Sequence, residues 1–469
     1  MKSIHIAITA ALGATLVFSA PAAAQQTAAA SESAVASAEN GKTGETRKEE
    51  KKEEKDVPDF LREREITMRY FRPMDRRGIN VFETPKEAGA EYHGFKLDWN
   101  AAFTSQVQWL EHSNTAVPNI VGGVNQNELA NIGFGFNNST ANLYLNAQLA
   151  RGIRVALTSY LSARHHNETW VKDGYLLMDE SPIDIEPLNK LMEKVTLRVG
   201  HFEINYGDAH FRRTDNGQAI YNPFVGNLIM DAFTTEIGAE AYLRHNGFLA
   251  MASVTGGEIR GTVLTPEQRS PTVIGKLGFD RQVNDNLRLR LTGSMYHTNK
   301  SLSNTLYGGD RAGSRYYYVL ENTAATESAQ FTSGNINPGF KNEVTAFQIN
   351  PFVKYGGLEV FGVVERAEGK SSAEAIERTF NQQAVDVVYR ALEDFVYVGA
   401  RYNRVKGRLA GFTNDVEANR YQLGMGIFLT PSILMKGEYV NQEFKGYPTT
   451  HIRNGGKFNG FIAEGVIAF

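Results

Sequence analysis

From Gly94 onward, apolar and polar side chains alternate at every second position of the chain. In the clearest segment, Leu287–Met295, leucines alternate with Arg288 and Arg290. Successive side chains on a β-strand point to opposite faces, so a period of two predicts strands with one apolar and one polar face. The pattern recurs over most of the chain in segments of roughly 10 residues, the length of a transmembrane β-strand.

Short and long connections alternate between the predicted strands. The short ones carry residues that favour hairpin turns, as in His245-Asn246-Gly247 and Thr430-Pro431-Ser432. The long ones are polar and include Asn205–Phe233 and Asn299–Asn342. Counting the segments between them gives about 16 strands, an even number as in bacterial barrels. The stretch Arg315–Leu320 is a candidate for one more strand.

This arrangement predicts an all-β fold, a transmembrane antiparallel β-barrel of about 16 strands over residues 94–469, with short periplasmic turns and long extracellular loops. The abundance of Tyr, Phe and Gly fits, since such strands are only half apolar and aromatic residues line both membrane interfaces. Phe469, the last residue given, ends a predicted strand on its outward face, which resembles the recognition signal of outer-membrane barrels. Pairing of this strand with the first one, near Phe95, would leave no open sheet edge in the bilayer.

The beginning of the chain divides into three segments. Residues 1–24 have the features of a signal peptide: Lys2, the short apolar run Ile4–Phe18, and small residues at Ala22-Ala23-Ala24. Residues 25–60 are of low complexity and strongly charged, which predicts a disordered leader. Residues 61–93 contain several arginines among aromatic residues and prolines. They are predicted to be either a basic linker or a segment that enters the periplasmic mouth of the barrel.

The polar connection Asn205–Phe233 is the strongest candidate for a functional element, because loops of this length tend to be functional. We predict that it is a pore constriction loop. Arg212 and Arg213, opposite Asp208 and Asp215, would either hold the loop folded or present an electric field to passing solutes.

Charged residues on the strands are expected to face the lumen, since a charge facing lipid at the midplane costs about 2–4 kcal/mol. Basic and acidic residues nearly balance there, so the charges indicate at most a mild anion preference. The alternative is that these charges are merely solvated in a wide lumen. The predicted constriction or solute-binding residues are Asp208, His210, Arg212, Arg213, Asp215, Arg198, Arg288, Arg290 and Arg401.

Two stretches resemble a known family of outer-membrane channels. The stretch Leu197–Gly207 is similar to the R-x-G-[RH]-F-x-x-x-[FY]-G motif of the phosphate-selective porin O/P type family, and Val398–Asn403 is similar to its late G-x-R-Y strand. The resemblance covers roughly the barrel portion. It implies a channel of 16 strands, a homotrimer, and a third long loop that narrows the pore. The charged leader departs from the family, and so does the absence of a basic ladder along one strand or loop.

Signals for other functions are weak or absent. The sequence has no G-x-S-x-G, P-loop or H-E-x-x-H motif, so we expect no enzymatic activity, cofactor or catalytic metal. It has no cysteine and therefore neither disulfides nor a lipidated cysteine. A net charge of -3 is too small to indicate a nucleic-acid partner.

We therefore predict a porin in the outer membrane of a Gram-negative type of cell, surrounded by the lipid bilayer. It would allow passive diffusion of small hydrophilic solutes or ions, with at most mild anion selectivity. The alternative is a barrel that serves as a scaffold for adhesion or for the assembly of a partner. The many lumen charges argue against a channel for hydrophobic substrates.

Overall fold

The computed structural model describes residues 58–66, 68, 71–83, 92–162, 169–261, 263–309 and 312–469. The predicted signal peptide, residues 1–24, lies outside the described residues. So does the predicted leader up to residue 57.

Within these residues the chain forms one antiparallel sheet of sixteen spanning strands that closes on itself. The strands are β1 (Lys96–Ser113), β2 (Thr140–Ala150), β3 (Ile153–Ser162), β4 (Thr169–Met178), β5 (Val195–Glu203), β6 (Thr235–His245), β7 (Phe248–Thr255), β8 (Thr272–Gln282), β9 (Leu287–Thr298), β10 (Glu343–Tyr355), β11 (Leu358–Lys370), β12 (Arg378–Ala391), β13 (Val396–Gly407), β14 (Val416–Thr430), β15 (Ile433–Lys445) and β16 (Lys457–Ala468). Each strand pairs with its neighbours along the chain. The predicted barrel is therefore confirmed.

The barrel closes between its first and last strands. Strand β16 pairs with β1 in a register that runs from Ala102 opposite Ala468 to Ser113 opposite Lys457. A short strand, Phe134–Phe136, pairs with β1 just above β2 and extends the same edge. Closure satisfies the backbone groups of every strand, which a sheet in lipid requires.

The two faces of the strands are as the alternation predicts. On β9, Leu289 and Leu291 are 37% and 55% exposed on the outer surface, while Arg290 and Thr292 are 4% and 2% exposed and face the lumen. Large apolar side chains are exposed in the same alternating way on the other strands. The exterior is therefore an apolar surface that suits contact with lipid.

Helices are few and short in the described part of the chain. The α-helices are α1 (Glu186–Met192) and α2 (Glu327–Gln330), and the 3-10 turns are Asp59–Leu61, Arg76–Gly78, Ala209–Phe211 and Pro266–Gln268. Among the described residues, no helix has the length and apolar character needed to cross a bilayer.

The stretch Arg315–Leu320 is not a strand, so the prediction of an additional strand there is wrong. Arg315, Tyr318 and Leu320 have φ angles of 66°, 61° and 56°, in the left-handed region that a strand cannot contain. The stretch is part of a long connection that folds into the lumen, where Arg315 and Leu320 are buried.

Two long connections occupy the interior of the barrel. We call them the first inward loop (Asn205–Phe233) and the second inward loop (Asn299–Asn342). They contact each other through backbone hydrogen bonds, such as the one from Ile336 N to the Ile229 carbonyl at 2.9 Å. Most of the buried apolar side chains of the protein therefore lie inside the barrel, between these loops and the wall.

Candidate functional site

The first inward loop lies along the wall formed by β10–β15. Its Val225 amide donates a hydrogen bond to Glu438 Oε2 at 2.8 Å. In the opposite direction, Lys436 Nζ donates to the Phe224 carbonyl at 3.0 Å. Because wall side chains satisfy buried backbone groups of the loop, the loop has a defined position in the lumen. This is the location that a constriction loop requires.

Asp208 ties this loop to strands β8 and β9. Its carboxylate lies 2.6 Å from Lys276 Nζ and 2.8 Å from Arg290 Nε, and it accepts a hydrogen bond from Thr292 at 2.8 Å. Asp208 is fully buried and its backbone amide donates to Asn350 on β10. A buried carboxylate with this many donors holds the fold of the loop in place.

Arg212 and Arg213 point away from each other to different partners. Arg212 donates to the Asn80 side chain and lies 3.5 Å from Glu359 on β11. Arg213 pairs with Asp231 of its own loop at 2.5 Å. Since Asp208 is bound by cations of the wall, the predicted pairing of these arginines with Asp208 is wrong.

A second charged cluster lies between the loop and strands β4 and β5. Lys172 Nζ is 2.5 Å from both Asp215 and Glu203. Arg213 lies 3.8 Å from Asp215, which agrees with the prediction that these two residues lie opposite each other. His210 Nδ1 is 2.7 Å from Glu203. Burial lowers the pKa of His210, although the contact with Glu203 opposes the shift. The cluster therefore favours a neutral imidazole.

The remaining predicted residues are arginines on the strands, and each pairs with a carboxylate. Their contacts are Arg198 Nη2 to Glu240 Oε1 at 2.6 Å, Arg288 Nη2 to Asp280 Oδ2 at 2.7 Å, and Arg401 Nε to Asp386 Oδ1 at 2.6 Å. These pairs anchor the lumen side of the wall, and their predicted roles in conduction stay predictions.

A cavity of about 260 Å³ remains between the first inward loop, the N-terminal segment and the wall strands β2–β6. Its lining is rich in charged side chains and tyrosines. Among the predicted residues, the ones that line it are Arg198, His210, Arg213 and Asp215. The structure therefore brings four predicted residues together around one cavity and places the other five in ion pairs elsewhere.

Two further arginines line the same cavity, although the sequence predicts neither of them as a constriction residue. Arg72 stacks on the Tyr221 ring at 3.5 Å and donates to the Phe211 carbonyl at 2.9 Å. Arg244 lies over the Tyr242 ring at 5.0 Å. No carboxylate of the described residues lies within ion-pair distance of either guanidinium. Within the described residues, both guanidinium groups therefore line the cavity without a carboxylate partner.

Sequence reasoning also missed the part that Glu83 plays. This residue lies 2.9 Å from Lys276 and 2.7 Å from Arg290, in the same network as Asp208. Its segment has no strand periodicity, and only its mixture of arginines and aromatic residues suggested a place inside the mouth. Within the described residues, no group of His, Asp and Glu side chains has an arrangement that could hold a metal ion.

Comparison with known proteins finds similar barrels among solved structures. No family model and no curated protein sequence matches the chain. OmpT, an outer membrane protein of Vibrio cholerae in its trimer form, is similar with 12% identity and a TM-score of 0.48 over 80% of this chain and 100% of that one. The anion-selective porin from Comamonas acidovorans has 13% identity and a TM-score of 0.48 over the same shares.

A third similar structure is DcaP, an outer membrane channel of Acinetobacter baumannii, with 9% identity and a TM-score of 0.47 over 81% of this chain and 99% of that one. At such identities and scores, the function has to be inferred from the residues of the chain itself. Its own structure combines a closed barrel, an apolar exterior and a charged interior. The protein is therefore an integral barrel of the outer membrane.

Proposed function

We propose that the chain is an outer-membrane porin through which small hydrophilic solutes or ions diffuse passively. One observation carries the proposal: a cavity lined by charged groups and tyrosines lies inside a barrel whose outer surface is apolar. Such a lining replaces part of the hydration of a polar solute and so lowers its barrier to crossing the membrane. The proposal includes no catalytic step. Membership of the phosphate-selective porin O/P type family remains a hypothesis that rests on the motifs at Leu197–Gly207 and Val398–Asn403.

We further propose a mild anion preference. Arg72 and Arg244 face the cavity without a carboxylate partner among the described residues. The cavity carboxylates have cationic partners: Asp179 contacts Arg154 at 2.5 Å, and Lys172 lies 2.5 Å from both Glu203 and Asp215. Anions therefore meet more uncompensated charge than cations do.

The test is a reversal-potential measurement in planar bilayers under a salt gradient. Replacement of Arg244 by Gln should shift the reversal potential toward cation selectivity. The matched control is Arg281→Gln, which removes the same charge from an exposed position on β8. Equal reversal potentials in both variants would show that Arg244 does not set the ion preference.

A second candidate function is a scaffold for adhesion or for assembly of a partner. One observation favours it, namely that two inward loops and the N-terminal segment fill much of the lumen. The same bilayer experiment separates the two functions, because a scaffold would remain electrically silent in every preparation. We also propose a homotrimer, as the family resemblance implies, and cross-linking in the membrane followed by gel electrophoresis tests it.

A further inference from the structure

The segment Phe71–Glu83, here called the plug segment, enters the barrel from the periplasmic end. Its Arg76 amide donates to the carbonyl of Pro431, in a short turn, at 3.0 Å. Glu83, at the far end of the segment, reaches Lys276 in the middle of β8. The next described residue, Tyr92, donates its hydroxyl to the Leu149 carbonyl near the end of β2 at 3.3 Å. The segment is thus attached at both ends on the periplasmic side and does not thread through the barrel.

Specific side-chain contacts hold the inner half of the plug segment. Asn80 Nδ2 donates to Glu359 Oε1 at 2.5 Å, and the Asn80 carbonyl accepts from Arg288 at 3.0 Å. The Phe82 ring packs edge-on against Phe352, with ring centroids 5.4 Å apart. These contacts are made by side chains, and the segment joins no strand of the wall. Its departure would therefore leave the hydrogen-bonded barrel intact.

The wall residues that bind the plug segment keep other partners of opposite charge. Lys276 and Arg290 both contact Asp208 of the first inward loop, at 2.6 and 2.8 Å. Arg288 keeps its contact with Asp280 at 2.7 Å. Removal of the segment therefore leaves each of these three cations with a carboxylate partner, so it avoids the usual obstacle to breaking buried ion pairs.

The same holds for the carboxylate that Asn80 contacts. Glu359 lies 2.8 Å from Arg390 and 3.5 Å from Arg212, both of which stay with the barrel. Water entering from the periplasm can take over the hydrogen bonds of Asn80.

From these contacts we propose that Phe71–Glu83 is a reversible plug. In its docked state it narrows the periplasmic half of the lumen and forms one side of the cavity. When it leaves as a loop, the cavity between the first inward loop and strands β2–β6 widens on the side that the segment had covered. The protein then has a narrow and a wide state with the same barrel. The effect on conduction rests on the proposed porin function, whereas docking and release of the plug segment do not.

The first experiment measures release without any need for conduction. The chain has no native cysteine, so Val81→Cys introduces a single thiol into the docked segment. The membrane-embedded protein is treated with a water-soluble maleimide, and the labelling rate is recorded. In a Glu83→Gln background, which weakens the contacts to Lys276 and Arg290, the rate should rise about tenfold or more, as a loss of one charge-assisted pair implies.

The matched control is Glu417→Gln, which removes a carboxylate from a pair with Arg404 at 2.7 Å near the extracellular ends of β13 and β14. Labelling at residue 81 should be unchanged in that background. The same slow rate in both backgrounds would overturn the proposal, and so would fast labelling in the protein that carries only Val81→Cys, because the segment would then not be docked.

The second experiment measures the width of the path. The plug segment is replaced by a Gly/Ser stretch of equal length, and single-channel conductance is compared with that of the wild type. We expect a rise of at least about twofold, since conductance follows pore width. A variant with Phe82→Cys and Phe352→Cys is joined by a short bis-methanethiosulfonate, which forms a disulfide with each thiol. It should remain in the narrow state until both disulfides are reduced.

The plug proposal would be overturned if the replaced variant conducts like the wild type and if reduction leaves the conductance of the cross-linked variant unchanged. A folded, heat-modifiable barrel that is silent in all variants would instead contradict the proposed porin function. The labelling rates would in that case still decide whether the segment docks reversibly.

Discussion

Charged residues inside this barrel mainly form ion pairs that join the wall strands to each other and to the inward loops. Glu464 on β16 is the clearest example, with Lys436 at 2.6 Å and Arg315 of the second inward loop at 3.0 Å. Thr104 and Gln106 on β1 also donate to it, at 2.7 and 2.9 Å. One carboxylate therefore links the closing seam of the barrel to a loop. Removal of one partner of such a buried ion pair leaves the other charge without a counter-charge.

We expect Glu464→Gln to lower the free energy of unfolding by about 3–5 kcal/mol, because Lys436 and Arg315 lose their shared counter-charge in a buried site. Urea unfolding of the folded barrel measures the change. Glu443→Gln is the control: Glu443 pairs with Lys445 at the surface, and exposed pairs contribute little. If both variants unfold at the same urea concentration, the buried pair at Glu464 is not a main tie.

Glu83 should make the docking of the plug segment depend on pH. Burial alone would raise the pKa of its carboxyl, but Lys276 and Arg290 outweigh burial and hold the pKa below the ordinary value of 4.5. A pKa lowered by docking means that the stabilisation is complete above pH 4.5 and is lost as the pH falls below it. Asp208 contacts the same two cations, but the docked Glu83 carboxylate raises the pKa of Asp208, so protonation of Asp208 opposes this loss. Arg244, which also faces this site, stays charged throughout.

Acidification from about pH 6 to about pH 4 should therefore begin to favour the wide state over the narrow one. Bilayer recordings of the wild type and of Glu83→Gln measure the effect. The variant should already show the wide state near neutral pH and change less on acidification. A wild type whose state occupancies are the same at both pH values would contradict the assignment.

At the scale of elements, the strands follow one rule and the connections follow another. Strand β9, for example, carries leucines that face the lipid and charged residues that face the lumen at alternate positions. The direction of each side chain can therefore be predicted directly from the sequence. A long connection has no such period. Its position depends on which wall side chains meet its backbone, as Glu438 meets the Val225 amide.

The substitution Leu291→Arg should impair assembly of the barrel. Leu291 is 55% exposed on the outer surface and lies near the middle of β9, where a charge facing lipid costs about 2–4 kcal/mol. The matched control is Leu287→Arg on the same face at the end of the strand, where the cost falls to about 0–1 kcal/mol. Heat-modifiable gel shifts after folding into vesicles measure the fraction assembled. Equal fractions would mean that the membrane midplane lies elsewhere.

At the scale of the whole molecule, pairing between the first and the last strand joins the sixteen strands into one closed barrel. The Phe469 amide donates to the Ala101 carbonyl at 2.9 Å, and the Ala101 amide donates to the Phe469 carbonyl at 2.8 Å. These two bonds start the seam between β1 and β16, which then continues along the register from Ala102 to Ser113.

Deletion of Phe469 should therefore slow insertion and closure, since it removes two backbone hydrogen bonds and an outward aromatic side chain from the first position of the seam. The time course of the heat-modifiable form in vesicles measures the rate. Phe469→Trp is the control, because it keeps the backbone and an aromatic side chain. Normal rates for the deletion would show that closure does not begin at this end.

The local sequence pattern specifies the strands of the barrel wall. Alternation along segments such as Leu287–Met295 specifies strand, length and facing, because the pleat of a strand and the choice between lipid and lumen act on each residue locally. The turns at His245-Asn246-Gly247 and Thr430-Pro431-Ser432 likewise lie where their hairpin residues predicted them. The extra strand expected at Arg315–Leu320 failed because a short apolar run does not distinguish a strand from a buried loop.

The contacts in the interior of the barrel, in contrast, depend on long-range packing. Arg212 and Arg213 are adjacent in sequence, yet one contacts Glu359 across the lumen and the other pairs with Asp231. Glu83 meets Lys276 because the chain enters the barrel and returns. Ion pairs in the lumen join residues that are far apart in sequence, and no local period encodes which cation meets which carboxylate. Their choice depends on how loops and plug segment pack together inside a closed wall.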